Sequence, residues 1–209
     1  MRRFLMTAAL AGALLGAASQ AGATIIADGD FSSPPGAGSF TTYNGGSFGP
    51  WNVTGSVDLI GDYWQAPPAG GGSVDLDGNS PGGVSQAFTA PKGEYELSFY
   101  LSGNPDGGDG VKTVEVSVGD VDKTFTFDNT GVTTRGAMGY QLETVKFFTG
   151  GSDTLSFKSL DVGSPYGPVI GQVSVGAVPE PATWAMMLMG FGGLGAAMRS
   201  SRRRMALAI

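Results

Sequence analysis

Apolar and polar residues alternate along most of the chain between residues 24 and 177. The segment 93–101 (GEYELSFYL) has an apolar residue at every second position, and 111–119, 123–128 and 169–177 repeat the pattern with Val or Phe. A period of two places the apolar residues on one face of a strand and the polar residues on the other. The pattern predicts about ten half-buried strands and no helix before residue 180.

Turn-forming residues separate these segments. The chain has 36 Gly among its 209 residues, and Gly, Asp and Asn cluster at 104–110, 119–120 and 150–153. These residue types favour tight turns. Many short strands joined by turns, over a length sufficient for one core, predict an all-β sandwich or jelly roll across residues 24–177.

The first 23 residues differ from this pattern. They read MRRFLMTAALAGALLGAASQAGA, with two Arg before an apolar run and Ala-Gly-Ala at 21–23. This order is typical of a secretory signal peptide, which is cleaved to leave a mature chain that starts near Thr24. The alternative is an uncleaved membrane anchor, which the short apolar run disfavours.

The C-terminal segment 178–204 also stands apart. Trp184 to Met198 contains only apolar residues and Gly, and a cluster of arginines follows. We predict a transmembrane helix over about 182–200, with residues 205–209 as a short tail. The arginines are expected to hold this end in the cytoplasm and the body outside; they are Arg199, Arg202, Arg203 and Arg204. The alternative is a buried amphipathic core helix, which is disfavoured because this segment has no polar face.

This segment resembles a PEP-CTERM sorting signal of the PEPxxWA type. The resemblance rests on Pro179-Glu180-Pro181, on Trp184-Ala185, on the Gly-rich apolar stretch and on the arginines. It implies an exported protein of a Gram-negative bacterium whose tail an exosortase, a membrane enzyme, recognises. Pro179, Glu180, Pro181 and Trp184 would form the recognition motif. The residues MALAI after the arginines depart from the usual end of such tails.

The body resembles the choice-of-anchor C or DUF642 type of extracellular domain. The motifs that carry this resemblance include DGDF (28–31), SVDLDG (73–78) and YGPVIGQVSV (166–175), and it covers nearly all of residues 25–176. The resemblance implies a galactose-binding-like β-sandwich, that is, a jelly roll, and an extracellular location. It implies no established reaction.

Two departures from that family pattern concern a structural calcium ion. Asp30 and Ser32 replace the Ser and Glu of the usual opening motif, and Gly171-Gln172 replaces two acids near its close. Related carbohydrate modules can share a calcium ion between acids at these positions. Because Ca²⁺ needs six to eight oxygen ligands, several of them carboxylate, we predict that this site is absent or weak here.

The charge of the body limits its partners. Residues 24–178 contain 17 Asp and Glu against six Lys and Arg, which gives a net charge of -11. Nucleic-acid binding is therefore not expected, because it requires a basic face. The chain has no Cys and no His, which excludes disulfides, zinc sites with thiolate or imidazole ligands, and catalysis by Ser-His-Asp or Cys-His. The negative charge of the body suits cations, or neutral partners rich in hydroxyl groups, better than it suits nucleic acid.

Tyr63 and Trp64 are the candidate glycan-binding residues. They end a predicted strand and enter a loop rich in Pro and Gly. Sugars stack through their C–H faces on aromatic rings that are exposed in such a loop. The alternative is that one or both rings close an end of the sandwich, as large aromatic residues usually do. Other aromatic candidates are Tyr100, Tyr140 and Tyr166, whereas Trp51 is interpreted as a core residue.

Acidic residues give weaker candidates. Asp106 and Asp109 in NPDGGDG are possible calcium ligands, and Asp75 and Asp77 resemble the start of a calcium loop, but both segments are better interpreted as turns. Glycoside hydrolysis requires two carboxyl groups across a cleft. No such pair can be selected among Glu94, Glu96, Glu115 and Glu143, which are expected on solvated strand faces. We predict no metal and no cofactor.

The sequence therefore predicts an exported, membrane-tethered surface or matrix protein without catalytic activity. Its expected partners are an exosortase-type enzyme, the inner membrane and extracellular polysaccharide, and not nucleic acid. The alternatives are a glycoside-active enzyme and a purely structural or adhesive surface protein.

Overall fold

In the described part of the chain, twelve strands form two antiparallel sheets of six strands each, which confirms the predicted all-β jelly-roll sandwich. The structure, a computed structural model, describes residues 25–32, 39–131, 134–178, 185–195 and 199. Sheet A has the order β1-β4-β5-β12-β7-β10, and sheet B has the order β2-β3-β6-β11-β8-β9. The strands are β1 Phe40–Asn44, β2 Ser47–Phe48, β3 Trp51–Thr54, β4 Ser56–Ile60, β5 Ser73–Asp75, β6 Gly83–Thr89, β7 Gly93–Gly103, β8 Val111–Val118, β9 Val121–Asp128, β10 Gln141–Thr149, β11 Ser152–Ser159 and β12 Pro168–Ala177.

The alternating residues of the sequence supply the core between the sheets. The apolar residues of β7 and β8 are buried at every second position, as the pattern predicts. Three aromatic rings meet near the centre: Phe157 lies 5.1 Å from Phe99 and 6.5 Å from Trp51, measured between ring centroids. Trp51 is fully buried, as predicted, and its indole N–H donates to the carbonyl of Asp28 at 3.0 Å.

The two-residue turn Gly119-Asp120 joins β8 to β9 and ties the two sheets together. Asp120 Oδ1 accepts a hydrogen bond from the backbone N–H of Phe148 in β10, at 2.8 Å. Gly119 has φ 56°, and a Cβ atom there would lie 2.5 Å from the carbonyl oxygen of Phe148. Only Gly fits this close approach, so the predicted turn also has a packing role.

The sandwich has two distinct ends. At the loop end, β7, β9 and β11 finish, and the loops 104–110, 129–140 and 160–167 come together, with a short 3₁₀ turn at Pro105–Gly107. β4 runs parallel to β12, and the loop 61–72 that follows it reaches the other three loops through the hydrogen bond from Tyr63 to Asp106. At the tail end, β12 finishes beside the start of β7, where Ala177 lies opposite Tyr95. The segment that follows β12 in the sequence therefore leaves from the end of the sandwich opposite the loop end.

Residues 185–195 form a helix. Within the described part of the chain, no helix has the length and apolar character needed to cross a membrane. The predicted span over about 182–200 is described only at 185–195 and 199. The signal peptide 1–23, the motif residues Pro179, Glu180, Pro181 and Trp184, and Arg202, Arg203 and Arg204 lie outside the described residues.

Candidate functional site

Tyr63, Asp106 and Arg135 form a hydrogen-bonded cluster at the loop end. Arg135 donates to Asp106 through Nε (2.9 Å to Oδ1) and Nη2 (2.8 Å to Oδ2), and the Tyr63 hydroxyl donates to Oδ2 at 2.8 Å. The guanidinium carbon of Arg135 lies 4.1 Å from the centroid of the Tyr63 ring. We call these three residues the Arg135 cluster. Three separate loops supply it, so it exists only in the folded protein.

The electrostatics of the cluster follow from these contacts. The hydrogen bonds from Arg135 lower the pKa of Asp106, and the hydrogen bond to Asp106 raises the pKa of Tyr63. Arg135 is 53% exposed and its pKa is raised by the bond to Asp106. At neutral pH the cluster therefore presents a guanidinium of fixed orientation, held by a bidentate carboxylate and an aromatic face.

Exposed aromatic rings flank the cluster. The Phe40 ring is 41% exposed and meets the Tyr63 ring edge-on, with 5.2 Å between centroids. Tyr166 is 38% exposed, and a Cβ atom at Gly107 would lie 2.5 Å from its Cβ atom. The loop that carries Asp106 therefore packs directly against Tyr166.

The structure separates the two predicted platform residues. Trp64 is only 6% exposed; it packs with Ile60, Met138 and Val169, and its indole N–H donates to Ser73 Oγ at 3.0 Å. Ile60 and Val169 face away from the core, since their strand neighbours Leu59 and Ile170 belong to it. The Trp64 ring therefore covers the outer face of sheet A and offers no face to solvent, contrary to the expected platform. Tyr63 reaches the surface, but Arg135 covers one face of its ring.

A buried polar network supports the loops beneath the cluster. Asn104 accepts a hydrogen bond from the backbone N–H of Asp106 (2.8 Å) and donates to the fully buried Asp75 (2.5 Å). The other carboxylate oxygen of Asp75 accepts from the N–H of Gly167 at 3.0 Å, and Lys112 Nζ donates to the carbonyl of Tyr166 at 2.5 Å. Asp75 thus fixes both neighbouring loops. Its burial raises the pKa of its carboxyl well above the usual value.

The side chain of Asp77 is fully buried. Neither carboxylate oxygen has a hydrogen-bond partner among the described residues. Burial raises the pKa of Asp77 to about 6, and the nearby carboxylate of Asp161 also raises it, whereas the Ser159 hydroxyl, Lys112 and the N–H of Gly82 lower it in part. The interpretation of this segment as a turn is therefore wrong for Asp75, which belongs to β5, whereas Asp77 bridges to Pro81 across a bend and has a fully buried side chain.

Asp106 and Asp109, the weaker calcium candidates, have protein partners. Asp106 is bound by Arg135 and Tyr63, and Asp109 Oδ1 accepts from the N–H of Gly131 at 3.1 Å. Across the described residues, no group of three or more carboxylates has the geometry to hold a metal ion. The loop 104–110 is therefore stabilised by its own protein contacts.

The positions at which related carbohydrate modules can share a calcium ion lie where the first loop meets β12 in this chain. The N–H of Val173 donates to the carbonyl of Gly29 at 2.7 Å, and a bulge interrupts β12 between Gly171 and Ser174. Here Gln172 Nε2 donates to the carbonyl of Gly70 at 3.1 Å. An amide donor facing a carbonyl oxygen does not suit a cation, which would compete for that same oxygen. The residues present do not fit Ca²⁺ at this position.

The four candidate glutamates do not share a site. Glu115 belongs to sheet B, whereas Glu94, Glu96 and Glu143 belong to sheet A. Glu143 lies directly opposite Phe99 and so projects from the inner face at the sheet edge, not from a solvated face as expected. A cleft of about 880 Å³ opens at the tail end, lined by Lys92, Glu94, Lys146 and Phe148 among others.

The sequence analysis missed Arg135 and Phe40. One signal could have found Arg135, since it is the single arginine of residues 24–178. A lone arginine in an acidic body is a good candidate for a specific contact. No signal in the sequence marks Phe40, because its exposure depends on the loops around it.

Comparisons with known proteins agree with both resemblances. Residues 24–176 match the family described as "Protein of unknown function (DUF642)", and residues 177–204 match the PEP-CTERM protein-sorting motif. A solved family 61 carbohydrate-binding module in complex with β-1,4-galactotriose is 17% identical, with a TM-score of 0.47, over 75% of this chain and 99% of that chain. A family 35 module from Clostridium thermocellum is 21% identical, with a TM-score of 0.44, over 66% and 98%.

One curated protein also matches part of the chain. Halomucin of Haloquadratum walsbyi is 42% identical over 57 residues. The match covers 26% of this chain and 1% of that protein, so the chain spans only a small fraction of its curated relative.

Proposed function

Because this chain belongs to the DUF642 family and carries a PEP-CTERM sorting motif, we propose that it is an exported surface protein that binds extracellular polysaccharide without cleaving it. The loop end would carry the binding site and the tail end the tether. The Arg135 cluster is the observation that carries the binding proposal.

The order of segments supports export and sorting. A signal-like segment comes first, the sandwich follows, and the sorting motif starts directly after β12. In this proposal an exosortase-type enzyme recognises Pro179, Glu180, Pro181 and Trp184. The apolar segment lies in the inner membrane at least transiently, with Arg199, Arg202, Arg203 and Arg204 on the cytoplasmic side. The final location is the cell surface or the extracellular matrix of a Gram-negative bacterium.

The positions of the loop end and the tail end support an orientation in which the sandwich is held by its tail and its loops point away from the membrane. β12 starts at the loop end and finishes at the tail end, so the tether and the Arg135 cluster lie at opposite ends of the sandwich. A protein held by its tail would therefore present the cluster away from the membrane, where extracellular polysaccharide is found.

The Arg135 cluster suits a sugar ligand. A guanidinium has five N–H donors, and Asp106 takes two of them, so the others are available for sugar hydroxyls. The exposed rings of Phe40 and Tyr166 offer faces for the C–H groups of a pyranose. Since the body carries a net charge of -11, a neutral polysaccharide is favoured over a strongly acidic one.

Binding without cleavage is proposed because the candidate acids are dispersed. A glycoside hydrolase needs two carboxyl groups about 5–9 Å apart across the scissile bond. Within the Arg135 cluster, the carboxylate of Asp106 is committed to Arg135, and the four candidate glutamates lie on two different sheets. Release of reducing ends from a bound polysaccharide would contradict this part of the proposal.

Titration against polysaccharide tests the binding function. The protein is titrated with the exopolysaccharide of its host and with neutral and uronic-acid polysaccharides, with calorimetric detection. We expect saturable binding of a neutral polysaccharide, and about tenfold weaker binding for Arg135→Lys, which loses the bidentate and stacking contacts. Tyr63→Phe should weaken binding, whereas its matched control, Tyr43→Phe on β1, should not. Flat titrations throughout would favour a purely structural role.

A further inference from the structure

The strand that leads to the sorting motif is ordered up to the residue before the motif. β12 pairs with β7 as far as Ala177, and the N–H of Val178 still donates to the carbonyl of Glu94 at 3.0 Å. Pro179, the first motif residue, comes next. No spacer therefore separates the folded body from the motif.

The last part of β12 has one open edge. β5 covers that side of β12 only at Val169 and Ile170, and among the described residues no strand pairs with it beyond the bulge at 171–174. Backbone groups alternate between the two sides of an antiparallel strand. Because the N–H of Val178 points to β7, the N–H and C=O of Ala177 point to the open side.

The surface around this edge is accessible. Ser174, Gly176 and Ala177 are exposed, and Gly176 has no atom within 4 Å of the position where a Cβ would lie. Small side chains and an unpaired backbone edge form the kind of surface to which another extended chain can add.

The length of the following segment restricts how an enzyme can reach the motif. Six residues, 179–184, separate Val178 from residue 185, the first described residue of the helix. Fully extended, such a segment spans roughly 20–25 Å. An enzyme that binds the motif must therefore lie against the tail end of the sandwich.

We propose that the enzyme that processes the motif also binds the open edge of β12, Ser174–Val178, by adding a strand to it. This inference rests on the proposed sorting function. Residues 174–178 are already extended, so an enzyme that binds substrate as a strand loses no backbone entropy in ordering them. The main-chain groups of Val175 and Ala177 supply the hydrogen bonds, and the motif follows directly in the sequence.

Substitution at Ala177 tests the open edge. Ala177→Pro removes one N–H donor from the open side and leaves the pairing with β7 intact, as edge positions permit. The matched control, Ala177→Val, retains the N–H. Full-length chains are expressed in the host, and loss of the tail is followed by immunoblot and intact mass, with melting temperatures to show that each variant folds.

We expect about tenfold slower processing for Ala177→Pro, which corresponds to the loss of one main-chain hydrogen bond, and unchanged processing for Ala177→Val. Insertion of six Gly and Ser residues after Val178 should also slow processing, because it separates the edge from the motif. Wild-type rates for both Ala177→Pro and the insertion would overturn the inference and leave the sorting function intact. A wild-type chain that never loses its tail would overturn both.

Discussion

The carboxyl group of Asp77 is a source of instability that one substitution can remove. It is fully buried next to Gly167, and neither of its oxygens accepts a hydrogen bond of normal geometry among the described residues, although the Ser159 hydroxyl and the N–H of Gly82 are close enough to lower its pKa in part. Replacement by Asn keeps the shape of the side chain and removes the charge. We predict that Asp77→Asn is more stable than the wild type at neutral pH.

The magnitude follows from the pKa. Burial raises the pKa of Asp77 from 3.8 to about 6, and each unit corresponds to about 1.4 kcal/mol. Holding the group ionised at pH 7.5 therefore costs the folded state about 3 kcal/mol. For a protein of this size, such a change in the free energy of unfolding raises Tm by roughly 6–12 °C.

The pH dependence has a defined sign. Between pH 3.8 and about 6 the folded protein retains the Asp77 proton, whereas the unfolded chain has lost it. The stability contributed by this group is therefore greatest below pH 3.8 and falls as the pH rises through about 6. The advantage of Asp77→Asn should be small at pH 4 and reach its full value above pH 7.

Thermal unfolding followed by circular dichroism between pH 4 and 8 measures this difference. Asp122→Asn, at an exposed position of β9, is the matched control and should leave Tm within about 1 °C of the wild type. A wild type that is more stable than Asp77→Asn at pH 7.5 would refute the reasoning. It would mean that Lys112 stabilises the ionised carboxylate by more than burial costs it.

Three further predictions concern other parts of the sandwich. EDTA should leave Tm unchanged, because Gln172 donates to the carbonyl of Gly70 at the position where related carbohydrate modules can hold calcium; a fall of many degrees would contradict this. Trp64→Ala should cost about 3–5 kcal/mol in chemical denaturation, since the ring is buried against Met138; a loss below 1 kcal/mol would show that the ring is not part of the core. Gly29→Ala should lower Tm strongly, because its Cβ would lie 1.9 Å from the carbonyl oxygen of Val173, and an unchanged Tm would be the contrary result.

The period-two pattern was sufficient to predict the sandwich. It identified long strands such as β7 and β8, because half of their residues face a core and half face solvent. It predicted about ten strands, whereas the described residues form twelve, and the strands β2 and β5, with two and three residues, are too short to show the pattern. A period cannot be read from so few positions, and all three residues of β5 are buried, which removes the alternation.

The candidate site was harder to predict because contacts between distant loops form it. Tyr63 and Trp64 are neighbours, and only the loop that brings Met138 over Trp64 decides which ring is buried. Similarly, Asp75 is a buried residue and not a surface turn because Asn104, 29 positions away, supplies its hydrogen bond. Neither the burial of Trp64 nor the hydrogen bond to Asp75 can be predicted from the residues next to them in the sequence.

The central claim, that the loop end binds polysaccharide through the Arg135 cluster, can be observed directly by NMR. The Nε–Hε signal of Arg135, identified by its loss in Arg135→Lys, reports on the guanidinium that Asp106 and Tyr63 hold in place. Addition of the host's exopolysaccharide should shift this signal in a saturable manner. A signal that does not move while the same sample binds the polysaccharide, or in a sample that binds none, would contradict the claim.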